Sequence, residues 1–579
     1  LRRATQRTFK GAFDDPCAKI LSKMTLHLSK EVDTCYSQVN QNVAWNWPWR
    51  SAGGVLDTSV VIIGAGMGGL ASAARLSARG MAVTLVETRD EVGGKARRVK
   101  VDGKLIDGGP TVFTMRDVFD EIFEECGSRL EDFVNVKKAE VLARHAWDDS
   151  GSLDLFADAE RSIDAIGDFA GREAAHGYRR FRRETERMHD ILDKPMMRGD
   201  NVSSPLPLLW RIGLTKFGDF AAMRPHKSMW KALRDFFPDP RLQQLFGRYS
   251  TYCGSSPFEA PATLMLIAHV EAMGVWQIEG GIHALAQALR KLSEGQGARF
   301  RMGESVTEIL TDNSRATRGV RLASGEEIMA DAVICNGDPN AIATGHFGAP
   351  ATRAVKPLPP QKRSLSALVW YAHTETSGID LSHHNVFFSR DYKREFDEIS
   401  SGRPPSEPTA YICAIDRTSH AASNRATSGR ERLQIIVNAP ANGDTRSYDP
   451  EETMRCTSEM RATLKRCGLT LEEDMPHHVA TPAEWESLFP ATGGALYGRA
   501  SHGSVASFLR QGPRTRIKRL YCAGGATHPS AGVPMAALSG LLAAKKVEQD
   551  LASTRTYHPA ATPGGMSTPS AKMDATPSR

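Results

Sequence analysis

An α/β fold interrupted by an inserted α+β region is what this sequence predicts, and three observations predict it. A β-branched run, Ser59-Val60-Val61-Ile62-Ile63, leads straight into Gly64-Ala65-Gly66-Met67-Gly68-Gly69 and an Ala-rich stretch, Leu70 to Arg79. Short apolar runs of the same kind return far downstream, at Ala332-Val333-Ile334-Cys335 and Leu520-Tyr521-Cys522. Between them lie long stretches of helical and mixed periodicity. A short apolar run bounded by glycine reads as a parallel strand buried on both faces. Such strands, collected from distant parts of the chain, make one sheet with the intervening sequence inserted as a second region.

Length and composition set the outer bounds. The 579 residues exceed one simple core, so two or three units are expected. With 41% hydrophobic and 24% charged residues, collagen-like, coiled-coil and wholly disordered classes are excluded. A net charge of +6 suits an anionic membrane surface but is too weak for a nucleic-acid partner. The 9 cysteines are scattered without a CxxC pair, which argues against a disulfide framework or structural zinc and for buried free thiols. No apolar run is long enough to span a bilayer, and Leu1-Arg2-Arg3 lack the apolar core of a secretory signal. The chain does not begin with Met, so its true start stays open.

The elements follow in order. Residues 1–57 are a polar extension whose Trp45-Asn46-Trp47-Pro48-Trp49 cluster suits either a membrane interface or a packing arm. Ser59–Ile63, the helix Leu70–Arg79 closed by Gly80, and Ala82-Val83-Thr84-Leu85-Val86-Glu87 form a βαβ unit. The span 112–285 reads as helical, with amphipathic stretches at Val118–Cys126 and Ala174–Leu192. Within it, aromatic and basic residues interleave over 201–237, including Trp210, Phe217 and Trp230, which fits an interfacial segment or a buried helical lid equally. Ala262–Trp276 is nearly apolar apart from His269 and Glu271 and reads as core or as the wall of a greasy channel. Strand character returns over 290–337, a mixture over 363–490, and strand-turn-helix over 519–550. Residues 553–579 are rich in Ser, Thr, Pro, Ala and Gly, which cannot offset ordering entropy, so disorder is expected there.

Gly64, Gly66 and Gly69 make the G-x-G-x-x-G fingerprint in its required place between strand and helix. The glycines, with Ala65 and Gly68, permit a tight turn, close approach of a pyrophosphate, and close helix–strand packing. Glu87 ends the next strand, where a carboxylate accepts from both ribose hydroxyls and repels a 2′-phosphate. That grip serves NAD and FAD alike. Two further glycine pairs follow, in Val92-Gly93-Gly94-Lys95-Ala96 and in Asp107-Gly108-Gly109-Pro110-Thr111. They let backbone lie against an extended cofactor. This pattern resembles the FAD-binding flavoproteins that include amine oxidases, protoporphyrinogen oxidases and carotenoid desaturases. At the far end, Ala523-Gly524-Gly525-Ala526-Thr527-His528-Pro529 is a glycine turn after a strand, and Gly532-Val533-Pro534-Met535 opens a small-residue helix, Ala536 to Lys545. Its bare N-terminus suits a flavin ring or its ribityl chain. His528 stands in that turn without an evident acid partner and reads as structural.

Two blocks sharpen the resemblance. Thr481-Pro482-Ala483-Glu484-Trp485 with Phe489-Pro490-Ala491-Thr492-Gly493-Gly494-Ala495-Leu496-Tyr497-Gly498-Arg499-Ala500-Ser501-His502-Gly503, and Ala523 to Gly540, resemble carotenoid desaturases of the bacterial phytoene-desaturase type. Within that family they look closest to the 1-hydroxycarotenoid 3,4-desaturases, the methoxyneurosporene dehydrogenase branch. The similarity covers about 58–550 and is thin in the middle. It implies a Rossmann-like FAD-binding domain with an inserted α+β substrate domain, FAD, an acyclic carotenoid substrate, CH–CH dehydrogenation, and peripheral attachment on the cytoplasmic side of a bacterial membrane. The cofactor domain is expected from 58–112, 280–345 and 495–552, and the substrate and membrane-facing domain from 113–279 and 346–494. Gly524-Gly525 stands where many wider relatives carry Gly-Asp; carotenoid desaturases commonly lack that Asp too, so the departure fits the narrower family. A second dinucleotide fingerprint is absent, which points to a quinone or O₂ as electron acceptor. No catalytic base and no metal ligand can be nominated. Alternatives that share parts of the pattern are a phytoene desaturase, a carotenoid isomerase, a flavin amine or porphyrinogen oxidase, and a flavin-binding carotenoid carrier.

Overall fold

Five short parallel strands form the sheet from which the rest of the protein is hung. They are β1 (Ser59–Ile63), β2 (Ala82–Glu87), β3 (Arg299–Met302), β4 (Ala332–Cys335) and β5 (Leu520–Cys522), in the order β5-β4-β1-β2-β3. The computed structural model describes residues 58–148, 151–200, 224, 227–313, 315–417, 429–504 and 506–555. The Trp45–Trp49 cluster, Trp210, Phe217 and the tail after 555 lie outside the described residues. β1 pairs with β2 and β4 in continuous parallel register, Val60 opposite both Val83 and Ala332. All of β4 is buried, as expected for a central strand covered on both faces. On one side the sheet is covered by α1 (Met67–Ala78), α2 (Gly281–Gly295) and α3 (Val533–Arg555). On the other side, Val61, Val333 and Cys335 pack with Ile309, Val320 and Ile342.

α1 begins at Met67, earlier than the alanine run suggests, because Gly68 and Gly69 belong to its first turn. A Cβ on Gly69 would strike the Gly64 carbonyl, so the helix can sit this close to β1 only with glycine there. α3 likewise starts at Val533. It crosses α1 at Gly540, where a Cβ would collide with the Gly68 carbonyl. The Ser72 hydroxyl closes the crossing, lying 2.9 Å from both the Gly68 and Gly540 carbonyl oxygens.

The second region is built on a seven-stranded sheet. Its strands run His477–Ala480, Ser366–Thr374, Glu431–Ala439, Ala410–Ala414, His384–Phe387, Val141–Ala146 and Ser152–Phe156. All pairs are antiparallel except His384–Phe387 with Val141–Ala146. Period-two alternation explains its two cores. Leu368, Trp370 and Ala372 face Met460 and Leu464 of the helix Pro450–Arg466, whereas Ala367, Val369 and Tyr371 face Ile106 and Trp485.

The middle of the chain corrects the sequence in one place. The span 112–285 is not helical throughout: Val141–Ala146 and Ser152–Phe156 are strands that complete the seven-stranded sheet. The described end of 201–237 turns its aromatic rings inward and leaves Lys231, Arg234 and Asp235 exposed. Phe236 and Phe237 are buried against Phe181 and Phe246, and Trp230 packs on Phe258 at 4.7 Å between ring centres. The seven described cysteines are all buried free thiols. Among the described residues no helix is long and apolar enough to cross a membrane.

The α1–α3 crossing yields a first prediction. Gly540→Leu inserts a branched side chain where backbone already touches backbone, and overpacking of that kind costs about 1–3 kcal/mol. The variant should melt several degrees below the parent in a calorimetric scan and retain less bound cofactor. An unchanged melting temperature would mean that the helices separate freely.

Candidate functional site

The carboxyl ends of parallel strands are where an open α/β sheet exposes its turns, and a ligand there meets backbone from several strands at once. Here β1 ends in Gly64, β2 in Glu87, β4 in Asn336 and β5 in Ala523-Gly524, all on one edge. Gly64 has φ +94°, which only glycine adopts without strain. Gly66 is extended and caps α1 with no side-chain partner, and the first turn of α1 carries no acidic residue. The helix N–H groups and their partial positive charge are therefore open to an anion. The Glu87 carboxylate closes over this turn, accepting from the Ala65 amide at 2.7 Å and the Arg89 amide at 3.1 Å.

Asn336 ties the turns together. Its Nδ2 donates to the Gly64 carbonyl at 3.2 Å. A Cβ on Gly66 would lie 2.8 Å from that nitrogen. A Cβ on Gly68 or Gly524 would lie 2.6 or 2.8 Å from Oδ1, a buried acceptor with no hydrogen-bond partner. Sequence reasoning passed over Asn336; the signal was its position directly after a buried parallel strand.

The glycine pairs join the same edge. The Gly93 amide donates to the Ala65 carbonyl at 2.8 Å, and a Cβ on Gly94 would lie 3.1 Å from the Gly66 Cα. Lys95 turns inward, donating to the Leu496 carbonyl in the Phe489–Gly503 block, while the Ala96 carbonyl meets Nδ1 of His283 at 2.9 Å. A Cβ on Gly109 would strike the Lys95 carbonyl. Gly108-Gly109-Pro110-Thr111 is then held from the seven-stranded sheet. Tyr371 donates to the Gly108 carbonyl at 2.8 Å, Gln434 to the Gly109 carbonyl at 2.9 Å, and the Thr111 hydroxyl lies 2.6 Å from that of Tyr411. Asp107 caps α2 through the Ile282 amide at 2.6 Å; burial pushes its pKa up to about 6 against that bond.

At the C-terminal end, Gly524 has φ +103° and Gly532 φ +116°. The Ala536 amide donates to the Gly532 carbonyl at 2.8 Å as α3 begins, so Gly532, Val533 and Pro534 stand at its bare start. Gly525 and the Phe489–Gly503 block share a buried cation: Arg510 donates to the carbonyls of Tyr497 at 3.0 Å, Arg499 at 2.8 Å and Gly525 at 3.4 Å. Arg510 was also missed, since nothing near it in sequence marks it. His528 is buried with Nε2 on the Gly199 carbonyl at 3.0 Å.

A second polar group lies inside the inserted region. Glu271, the lone carboxylate of an apolar stretch, is buried and accepts from Tyr249 at 2.7 Å and Tyr252 at 2.8 Å. Arg248 donates to the Tyr252 hydroxyl at 2.8 Å and stands 3.5 Å from Glu271. Burial opposes its charge, but Tyr252, Glu271 and Tyr249 more than offset this and hold the cation. The Arg248 Nη2 faces the Glu271 carboxylate without a hydrogen bond, and Nε has no acceptor. Close by, Nδ1 of His384 lies 2.7 Å from the Tyr411 hydroxyl, and its buried Nε2 has no partner. Burial, then His383, then the Arg248 charge keep His384 neutral well below the usual range. Sγ of Cys413 is 3.6 Å from Nε2 of His383, whose Nδ1 takes the Ala414 carbonyl; with His384 these atoms lie within 4.8 Å of one another.

The glycine edge fits an elongated dinucleotide cofactor: a turn that any side chain would fill, an uncapped helix start, and a carboxylate at the end of the second strand. The comparisons agree. The family model for flavin containing amine oxidoreductase matches residues 67–547. The chain is 47% identical to hydroxyneurosporene desaturase of Rubrivivax gelatinosus, covering 88% of this chain and 97% of that protein. It is 31% identical to the 1-hydroxycarotenoid 3,4-desaturase of a Flavobacterium, covering 84% and 98%. Its fold matches that of an oxidoreductase from Methanosarcina mazei with a TM-score of 0.53 at 16% identity, covering 83% of this chain and 99% of that one.

Lys95 gives the site a pH signature. Burial lowers its pKa from the ordinary 10.5 to about 8, with the charge of Asp338 opposing the fall. Between those values the unfolded chain holds the extra proton, so this residue makes stability rise with pH across the window. That contribution is lost as pH falls through about 8. Lys95→Met should flatten the rise when apo-protein melting is followed from neutral to alkaline pH. Parallel curves for parent and variant would mean that Lys95 stays solvated.

Proposed function

Starting from a chain that belongs to the flavin containing amine oxidoreductases, in their carotenoid desaturase branch, and that works with FAD, we propose that it forms the C3–C4 double bond of a 1-hydroxylated acyclic carotenoid. One observation carries the choice within the branch: the 47% identity to hydroxyneurosporene desaturase runs over nearly the whole of both chains. The position of the new bond is taken from the more distant relative named for it.

The residues divide the work along the cofactor. Gly64, Ala65, Gly66, Gly68 and Gly69 would bring the start of α1 against the pyrophosphate. Glu87 would accept from the ribose hydroxyls. Gly93, Gly94, Lys95 and Ala96, with Gly108, Gly109, Pro110 and Thr111, would lie along the extended cofactor. Gly524 and Gly525, and Gly532, Val533 and Pro534 at the start of α3, would border the flavin ring or its ribityl chain. Bound FAD supplies the hydride acceptor. The protein's part is to exclude water and to hold one end of the substrate so that C3 and C4 meet the ring. The conjugated chain spreads the positive charge that develops as hydride leaves, so a weak base suffices for the proton on the neighbouring carbon. The electron acceptor is a quinone or O₂, supported by the single dinucleotide fingerprint. Attachment to the cytoplasmic face of a membrane is supported by the solubility of the substrate in lipid alone.

Two measurements test this reading. Gly66→Val places a side chain 2.8 Å or closer to Asn336 and over the pyrophosphate track, so the purified variant should fold yet carry little flavin absorbance. A fully yellow variant would move the cofactor elsewhere. Second, 1-hydroxyneurosporene, 1-hydroxylycopene and phytoene are supplied separately in liposomes. The hydroxylated substrates should shift to the red as conjugation lengthens, and phytoene should not react. Desaturation of phytoene alone would make the protein a phytoene desaturase.

A further inference from the structure

The inserted region contains charged and polar atoms that the fold does not use. A buried arginine is ordinarily fully hydrogen-bonded, since each unmade bond is expensive in a water-free interior. Arg248 is 5% exposed, yet its Nε has no acceptor and its Nη2 has only the Glu271 carboxylate at 3.5 Å. His384 is 2% exposed, yet Nε2 has no partner. Both side chains are otherwise held firmly. Arg248 is fixed by Tyr252 and backed by Glu271, and His384 by Tyr411. Tyr411 in turn lies against Thr111, which directly follows the Gly108-Gly109-Pro110 turn. The unused atoms are thus the Arg248 Nε donor and the His384 Nε2, and His384 is joined to the cofactor edge by two hydrogen bonds.

We propose that Arg248 and His384 seat the terminal hydroxyl of the substrate. A hydroxyl suits both, because it accepts one hydrogen bond and donates another, and Arg248 stands near enough for its charge to act on His384. Arg248 donates to the oxygen. With the His384 proton on Nδ1 and directed to Tyr411, Tyr411 donates to Thr111, and Nε2 accepts from the substrate. The chemistry of the reaction requires such a seat near the ring: only one carbon separates the hydroxyl-bearing C1 from C3, so whatever holds the hydroxyl also sets which bond meets the flavin. An unhydroxylated chain leaves the arginine donor buried and unmet, which is how a polar pocket rejects an analogue lacking its hydroxyl. This inference rests on the substrate reading given above and names the residues that enforce it.

The test compares kcat/KM for 1-hydroxyneurosporene and neurosporene in liposomes, using flavin-replete holoenzyme. The parent should prefer the hydroxylated substrate. Arg248→Lys keeps a cation against Glu271, and hence the fold, but loses the free Nε donor. His384→Gln tests the other half of the seat. The paired change Arg248→Met with Glu271→Gln removes both charges together, so that no lone carboxylate is stranded. In the Arg248 variants the preference should fall about 10- to 100-fold, the range for one hydrogen bond to a charged group, and in His384→Gln about 3- to 10-fold, the range for a neutral one. The loss should lie in KM for the hydroxylated substrate rather than in kcat. A parent with no preference would sink the substrate reading and this seat with it. A parent with the preference and flavin-replete variants that retain it would overturn the seat alone.

Discussion

The carboxamide of Asn336 is the fixed point of the cofactor edge. It sits where β4 ends, bonded to the Gly64 carbonyl, and fills the space into which side chains at Gly66, Gly68 and Gly524 would project. Three glycines from opposite ends of the chain are therefore demanded by one side chain, independently of any need of the ligand. The close approach of α1 to the sheet, and of α3 to α1, follows from the same economy of volume. Backbone meets backbone at Gly69 and Gly540, and no rearrangement of neighbouring side chains can relieve a methyl group placed there.

The inserted region depends on this edge in a different way. Its seven-stranded sheet does not merely lie beside the cofactor turns but carries their carbonyl groups. Tyr371, Gln434 and Tyr411, from three neighbouring strands, reach Gly108, Gly109 and Thr111. The Gly108–Thr111 turn is thus registered to the seven-stranded sheet, and the glycine edge and the inserted region share one framework. Arg510 does the same for the C-terminal turn, since a single buried guanidinium spans Gly525, Tyr497 and Arg499.

How much of this was legible in the sequence follows from the range of the forces involved. β1, β2 and β4 were readable to the residue, because a buried parallel strand needs only a local apolar run between glycines. The glycine turns were readable because backbone conformation is a local property. Val141–Ala146 was not, since its partner His384–Phe387 lies more than two hundred residues away and its own sequence, Val-Leu-Ala-Arg-His-Ala, alternates poorly. Phe236 and Phe237 showed an apolar face without showing whether lipid or Phe181 would cover it. Glu271 stood out as one carboxylate in an apolar stretch. Its meaning required Arg248 and two tyrosines that sequence spacing alone does not assign to it.

The position of β5 has a consequence for biosynthesis. β5 forms an edge of the parallel sheet, and Gly524 follows it into the turn against Asn336. On a ribosome, which extends a chain at about 5–20 residues per second, the first glycine turn emerges well before this last strand does. For that interval β4 presents an unpaired parallel edge, and the nascent chain has one half of its cofactor grip without the other. Until β5 pairs, Gly524 has no seat against Asn336, and the glycine edge is incomplete.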